Sequence, residues 1–262
     1  MSSELRQIRS VHRALDLLEH LGAQGPCSLQ KLHTATGLSK STLRRLLATL
    51  VERRFVRRGM SDGMYRTNVA TPSAVNSELT LRIGRLVEVA RPHMLALTDR
   101  VEWPSDLHIY VRGRMRILES THGMSPFGRT ESSRTDAELN LFAAASGLAF
   151  LASSDDQFVL DLVEELKHDE FWSLSRFGIT PARLLRELNE IRQKGFAVRR
   201  ITQGRTPGRN AIAVAILQGK SPVGGLTISW QRQLMPAHEF AALHLDALQA
   251  AAKTISKGLT RR

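Results

Sequence analysis

Residues 29–50 hold two short apolar repeats separated by Gly37-Leu38-Ser39, and that spacing constrains the fold more than any other feature of the chain. Leu29 and Leu32 mark a short helix over Leu29–Thr36, with Ser28 placed to cap it. Leu43, Leu46, Leu47 and Leu50 recur at i, i+3, i+4 and i+7, which predicts a further helix capped by Ser39. Two short helices joined by a glycine-containing turn make a helix-turn-helix. Upstream, Val11, Ala14, Leu15, Leu18 and Leu21 predict an amphipathic helix over Ser10–Leu21, ended by Gly22-Ala23-Gln24-Gly25-Pro26. Downstream, Phe55–Arg58 and Met64–Thr67 predict a hairpin turned by Asp62-Gly63. Three helices followed by a hairpin form a winged helix-turn-helix head over residues 1–68.

Charge gives that head a purpose. Of the formal net charge of +12, residues 1–68 hold 12 Lys and Arg against 5 Asp and Glu. A basic surplus packed into a quarter of the chain is the footprint of a polyanion binder. The apolar face of the third helix is used by its leucines. The other face carries Ser39, Lys40, Ser41, Thr42, Arg44 and Arg45, the residue types that reach phosphates and guanine edges from a recognition helix. Arg57, Arg58 and Arg66 on the hairpin are expected to lie beside the sugar-phosphate backbone.

The remaining chain reads as a linker and a larger mixed domain. Asn68–Ser77 is polar and contains Pro72; Glu78–Leu97 reads as a helix, kinked or broken at Pro92, so residues 69–97 form a linker helix region. Residues 98–262 alternate strands and helices. The expected elements are a hairpin of Asp106–Val111 and Met115–Glu119, helices over Ala145–Ser153, Asp155–Leu166 and Pro181–Lys194, strands over Phe196–Arg199, Asn210–Leu217 and Val223–Trp230, and a closing helix over Pro236–Gly258. The fold class is α+β. The single cysteine, Cys27, excludes an internal disulfide framework. Met1–Ser10 has no apolar core of a secretory leader and no stretch is long enough to span a membrane, so a cytoplasmic protein is expected.

Residues 9–67 resemble the DNA-binding domain of the IclR family of bacterial transcription regulators. The stretch that carries the likeness is Gly37-Leu38-Ser39-Lys40-Ser41-Thr42-Leu43-Arg44-Arg45-Leu46-Leu47-Ala48-Thr49-Leu50, with Thr42, Arg45, Leu46 and Leu47 at the family's Thr, Arg and Leu-Leu positions. The family usually has Gly after this helix, where this chain has Arg54; a side chain in a left-handed conformation costs on the order of 1 kcal/mol. Leu139–Ala152, with its Ala145-Ser146-Gly147, is similar to the family's effector-domain signature, as are Lys194-Gly195-Phe196-Ala197, Ile212-Ala213-Val214 and Leu226-Thr227-Ile228-Ser229. The resemblance implies a GAF-like effector-binding and oligomerisation domain, a curved antiparallel sheet with helices, over residues 98–262. It also implies that the linker region helps the heads dimerise. Val101-Glu102-Trp103-Pro104-Ser105-Asp106 resembles a segment of the activators of 3-hydroxyphenylpropionate catabolism, which implies an aromatic or other small carboxylic acid as effector.

Candidate effector residues follow. The resemblance makes the hydroxyls of Thr227 and Ser229 ligand-holding; on spacing alone they are two hydroxyls on one strand face. Ser146 is either a helix cap or a pocket hydroxyl. It lacks a Gly-x-Ser-x-Gly elbow, so it is no nucleophile. Trp103 and Asp106 are a wall and a polar anchor, or Trp103 is ordinary core. Met124, Phe127, Gly147 and Leu148 complete an apolar lining. Arg199 or Arg200 faces a carboxylate, or both are solvated. His238 and His244 are six residues apart, so they do not share the helix face that a zinc pair needs.

The residues therefore point to a regulator with no catalytic residues, no cofactor and no metal. Its expected partners are a pseudo-palindromic double-stranded operator, a small-molecule effector, a second copy in a homodimer or dimer of dimers, and RNA polymerase. The alternatives are a large domain that only oligomerises, or an enzyme with a DNA-targeting head.

Overall fold

The computed structural model describes residues 8–69, 77–128, 135–200 and 208–260. Most of the polar linker Asn68–Ser77, including Pro72, lies outside them. The chain divides into two compact units, Met1–Leu86 and Val87–Arg262.

In the first unit, α1 (Arg9–Gln24), α2 (Leu29–Thr36) and α3 (Lys40–Glu52) pack around Leu17, Leu18, Leu21, Leu32, Leu43, Leu47, Leu50 and Val56. The caps are those the side chains dictate. Ser28 Oγ accepts from Lys31 N at 3.1 Å and Ser39 Oγ from Thr42 N at 3.2 Å, each meeting an amide that has no helical partner. Gly37 takes the left-handed turn between them at φ 67°. α3 closes with paired bonds, Phe55 N to Leu50 O and Arg54 N to Val51 O, the Schellman arrangement. That puts Arg54 at the left-handed position with φ 62°. The expected strain is therefore present and tolerated. β1 (Val56–Arg58) and β2 (Tyr65–Thr67) pair antiparallel as the wing, and a bridge between Cys27 and Tyr65 ties the wing to the approach of α2. Val11 and Leu15, read as inward-facing, are exposed; the buried side of α1 is centred on Leu17, Leu18 and Leu21.

α4 (Ser77–Val101) runs through Pro92 as one helix, with the proline ring on its exposed side, so the expected break is absent. The boundary between the units falls within it.

The second unit is built on a six-stranded antiparallel sheet in the order β5-β4-β3-β8-β7-β6. Its strands are β3 (Ser105–Val111), β4 (Arg114–Ser120), β5 (Glu138–Asn140), β6 (Ala197–Val198), β7 (Arg209–Gln218) and β8 (Ser221–Gln231). On one face lie α5 (Ala145–Ala152), α6 (Asp156–Glu165) and α7 (Pro181–Lys194), packed through Leu148, Leu151, Leu162, Leu184 and Leu188 onto Met115, Ala197 and Ala213. On the other, α8 (Ala237–Thr260) stacks Phe240 on Trp230 at a ring separation of 3.8 Å. Strand alternation fixes which side chain sees which layer. Leu226, Ile228 and Trp230 face α8, whereas Gly225, Thr227 and Ser229 face α5. A Cβ at Gly225 would sit 3.0 Å from that of Ser146, so glycine allows α5 to seat on β8.

Candidate functional site

The first candidate surface is the polar side of α3. Lys40, Ser41, Arg44 and Arg45 are exposed, and Thr42 is half-buried. Ser39 Oγ bonds the hydroxyls of Ser41 and Thr42, both at 2.9 Å, so three hydroxyls converge at the positive end of the helix, the end expected to meet DNA. The wing corrects part of the sequence reading. Arg58 is exposed, its Nε donating to Gly63 O at 3.1 Å. Arg57 and Arg66 are only 8% and 5% exposed. Arg57 Nη1 donates to Asn68 Oδ1 at 2.8 Å, and Arg66 clamps both oxygens of Asp62 at 3.1 and 2.7 Å. Arg57 and Arg66 are cross-strand partners on the face of the hairpin opposite Val56, and these contacts hold both as struts of the wing. Burial pushes the Asp62 carboxyl up, but the Arg66 hydrogen bonds and charge outweigh it and hold the group below the usual carboxylate range.

The second surface lies on the α5 face of the sheet, within the larger unit. Asp106 stands opposite Thr227 in the β3–β8 register and opposite Ser120 in β3–β4. Thr227 Oγ1 donates to Asp106 O at 3.4 Å, and Arg209 Nη2 donates to Ser229 Oγ at 3.4 Å. His122 Nε2 is 3.6 Å from Asp106 Oδ2. Burial raises the Asp106 carboxyl; the hydrogen bond and field of His122, with His108 and Ser120, overcome this and keep it below the usual range. For His108, burial lowers the imidazole, and Asp106 and the Gly225 backbone offset this only in part. Two polar atoms here, Ser146 Oγ and His108 Nδ1, are buried without a hydrogen-bond partner among the described residues.

The structure thus puts Asp106, Ser146, Thr227 and Ser229 on one face of the sheet with Gly147 and Leu148 of α5, and places Trp103, Phe127 and Met124 elsewhere. Trp103 stacks on Phe127 at 4.3 Å and meets Phe240 edge-on, which places both rings on the α8 side. Met124 is 53% exposed and lines an open depression with Leu95 and Thr98. Leu148 is core. Gly147 has a packing reason, since any side chain there would collide with the Leu141 carbonyl. Arg199 is exposed, and Arg200 is held by Phe142 O at 3.0 Å and Glu187 at 2.6 Å. Sequence reasoning missed His108, Ser120, His122 and Arg209. The available signal was period two: His108 follows Asp106 on the same strand face, as Ser229 follows Thr227.

Among the described residues no three His, Cys, Asp or Glu side chains are grouped to hold a metal ion, and no helix is long and apolar enough to cross a membrane. Two family models match the chain: the IclR helix-turn-helix domain over residues 10–59, and the bacterial transcriptional regulator IclR C-terminal domain over residues 80–257. The chain belongs to the IclR family. It is a transcriptional regulator with a DNA-binding and an effector-binding domain, and not an enzyme. The HTH-type transcriptional regulator BhcR of Paracoccus denitrificans is 26% identical over 97% of this chain and 88% of its own length. The DNA-binding transcriptional repressor YiaJ of Escherichia coli is 29% identical over 82% of this chain and 75% of its own. The Thermotoga maritima IclR structure shares the fold, with a TM-score of 0.56 at 20% identity over 97% of this chain and all of that one. The C-terminal domain of E. coli KdgR does so with a TM-score of 0.53, at 19% identity over 68% of this chain and 99% of that domain.

Proposed function

We propose that this IclR-family regulator acts in the cytoplasm as a homodimer or dimer of dimers. It reads a pseudo-palindromic operator through Lys40, Ser41, Arg44 and Arg45 of α3, and RNA polymerase is the machinery it influences there. Its effector is a small carboxylic acid bound on the α5 face of the sheet. The observation that carries the effector site is the pair of buried, unpartnered polar atoms, Ser146 Oγ and His108 Nδ1, both at Gly225 and on the sheet face that carries the hydroxyls of Thr227 and Ser229. An unpaired buried polar group costs about 1–3 kcal/mol, which a ligand at this place would recover. Arg209 supplies the cation for a carboxylate, and Asp106 accepts from a hydroxyl or amide elsewhere on the same molecule. The aromatic wall expected from Trp103 and Phe127 stands on the opposite face, so the site favours a small polar acid, the product or substrate of a catabolic operon, over a bulky aromatic one.

The test is thermal shift followed by calorimetry on the full chain with pyruvate, lactate, benzoate and 3-phenylpropionate. A short-chain acid should stabilise the protein saturably. Thr227→Val with Ser229→Ala should weaken that binding by about 1–3 kcal/mol while preserving ligand-free DNA binding. Wild-type affinity in the double variant would move the site elsewhere.

A further inference from the structure

The ends of β3 and β4 carry polar side chains on both faces, and the second set has no part in the site above. Toward α5 they present Asp106, Ser120 and His122. Toward α4 they present Ser105 and Thr121, which meet Thr98 of α4 in a closed cluster of hydroxyls. Thr98 Oγ1 lies 2.7 Å from Thr121 Oγ1 and 3.1 Å from Ser105 Oγ, and the Ser105 and Thr121 hydroxyls are 3.0 Å apart. Ser105 N also donates to Thr121 Oγ1 at 2.8 Å, and Thr121 N donates to Ser105 O at 2.9 Å. All three residues are at most 4% exposed. Leucine or valine would fill the same space between a helix and a sheet without any directional demand. A hydroxyl cluster is satisfied only in one arrangement of helix and strand ends, and buried polar networks specify position for that reason.

The same strand ends are tied to the proposed effector site by their neighbours. Ser105 precedes Asp106, and Thr121 lies between Ser120 and His122. β8, which carries Thr227 and Ser229, bonds to this segment through Ser229 N to Pro104 O at 3.1 Å. A displacement of Asp106 or Ser120 toward one face therefore moves Ser105 and Thr121 on the other, because a strand's alternate side chains share one backbone. α4 is one continuous helix from Ser77 to Val101, so a shift at Thr98 is a shift of its C-terminal end.

We propose that Thr98, Ser105 and Thr121 are positioning residues that transmit the state of the α5-side polar group around Asp106 to α4. The proposal rests on the effector-site reading, but its test needs no effector. Asp106→Asn serves as the perturbation on the α5 face, and amide hydrogen exchange of residues 93–101 in the full chain is the readout. In the wild-type background Asp106→Asn changes protection of this segment by about fivefold or more, the scale of a working allosteric coupling. In a Thr98→Val or Thr121→Val background the same substitution leaves it unchanged, and Thr98→Ser restores the response. Ser105→Ala, which adds no bulk, carries the test should the valine variants fail to fold. Additive changes in the double variants, or no response to Asp106→Asn in the wild type, would overturn the coupling. A coupled cycle in a protein that no carboxylate stabilises would leave the coupling standing and remove the effector reading alone.

Discussion

Arginine decides much of this molecule's behaviour, and its roles divide by burial. Arg44 and Arg45 are exposed on α3, so Arg44→Ala and Arg45→Ala should keep the fold and weaken operator binding by about 1–3 kcal/mol each where a base edge is contacted. Fluorescence anisotropy at fixed salt checks this; unchanged affinity in both would remove α3 as the recognition helix. Arg66 behaves differently. Arg66→Ala strands a half-buried Asp62, and should lower the stability of the head by about 1 kcal/mol in urea unfolding at pH 7. The sign with pH follows from the depressed Asp62 value. The pair's contribution is complete above the ordinary carboxylate value of 3.8 and is lost as pH falls through the lowered one, so wild type and variant should converge in strong acid. Arg54 gives the opposite outcome. It holds a left-handed turn that glycine adopts freely, so Arg54→Gly should stabilise the head by about 1 kcal/mol, less the extra chain entropy of the unfolded glycine. The departure at Arg54 was legible because a Schellman end requires that conformation whatever the residue. The burial of Arg57 and Arg66 was not, since alternation puts them on the hairpin face opposite the core residue Val56, the face a hairpin usually leaves to solvent.

Among the elements, sequence reading succeeded where a repeat was long and a cap was present. α2, α3 and α7 all have Ser or Thr caps, and their bounds follow from them. β5 was missed because three residues, Glu138–Asn140, carry no periodicity. Pro92 suggested a break, yet its ring points outward and α4 passes through. The larger gap concerns faces. Alternation shows that Thr227 and Ser229 share a side of β8, but only the sheet order shows that this side meets α5, and that Trp103 belongs to the other. The contact of α5 with its surroundings is close enough to test. Gly147→Ala would drive a methyl into the Leu141 carbonyl, and Gly225→Ala would press on Ser146. Each should destabilise the larger unit by about 1–3 kcal/mol, as overpacking does, and Gly225→Ala should in addition weaken binding of any carboxylate that the site accepts. Equal stability of Gly147→Ala and wild type in a thermal melt would show that α5 can shift, and would weaken the case for a site of fixed shape beneath it.

One head alone has little to read DNA with. The contact surface proposed for it is one helix face with Lys40, Arg44 and Arg45, and one exposed wing arginine, Arg58. A single helix reads few base pairs, each worth about 1–3 kcal/mol of discrimination, too little to select one operator among the competing sites of a genome. Two copies related by a two-fold axis double the base contacts and require inverted half-sites about one helical turn, or a multiple of it, apart. Light scattering should therefore give a mass of two or four chains. Binding should need both halves: scrambling one half-site should cost at least about 3 kcal/mol, whereas changing only the spacer sequence should cost far less. Affinity should also fall steeply with salt, since each phosphate neutralised adds about −0.9 to the log–log slope, and Arg58→Ala should make that slope shallower by about one if Arg58 meets a phosphate. A monomer in solution that protects one half-site and is indifferent to the other would leave the basic head as a DNA binder but would remove the paired operator.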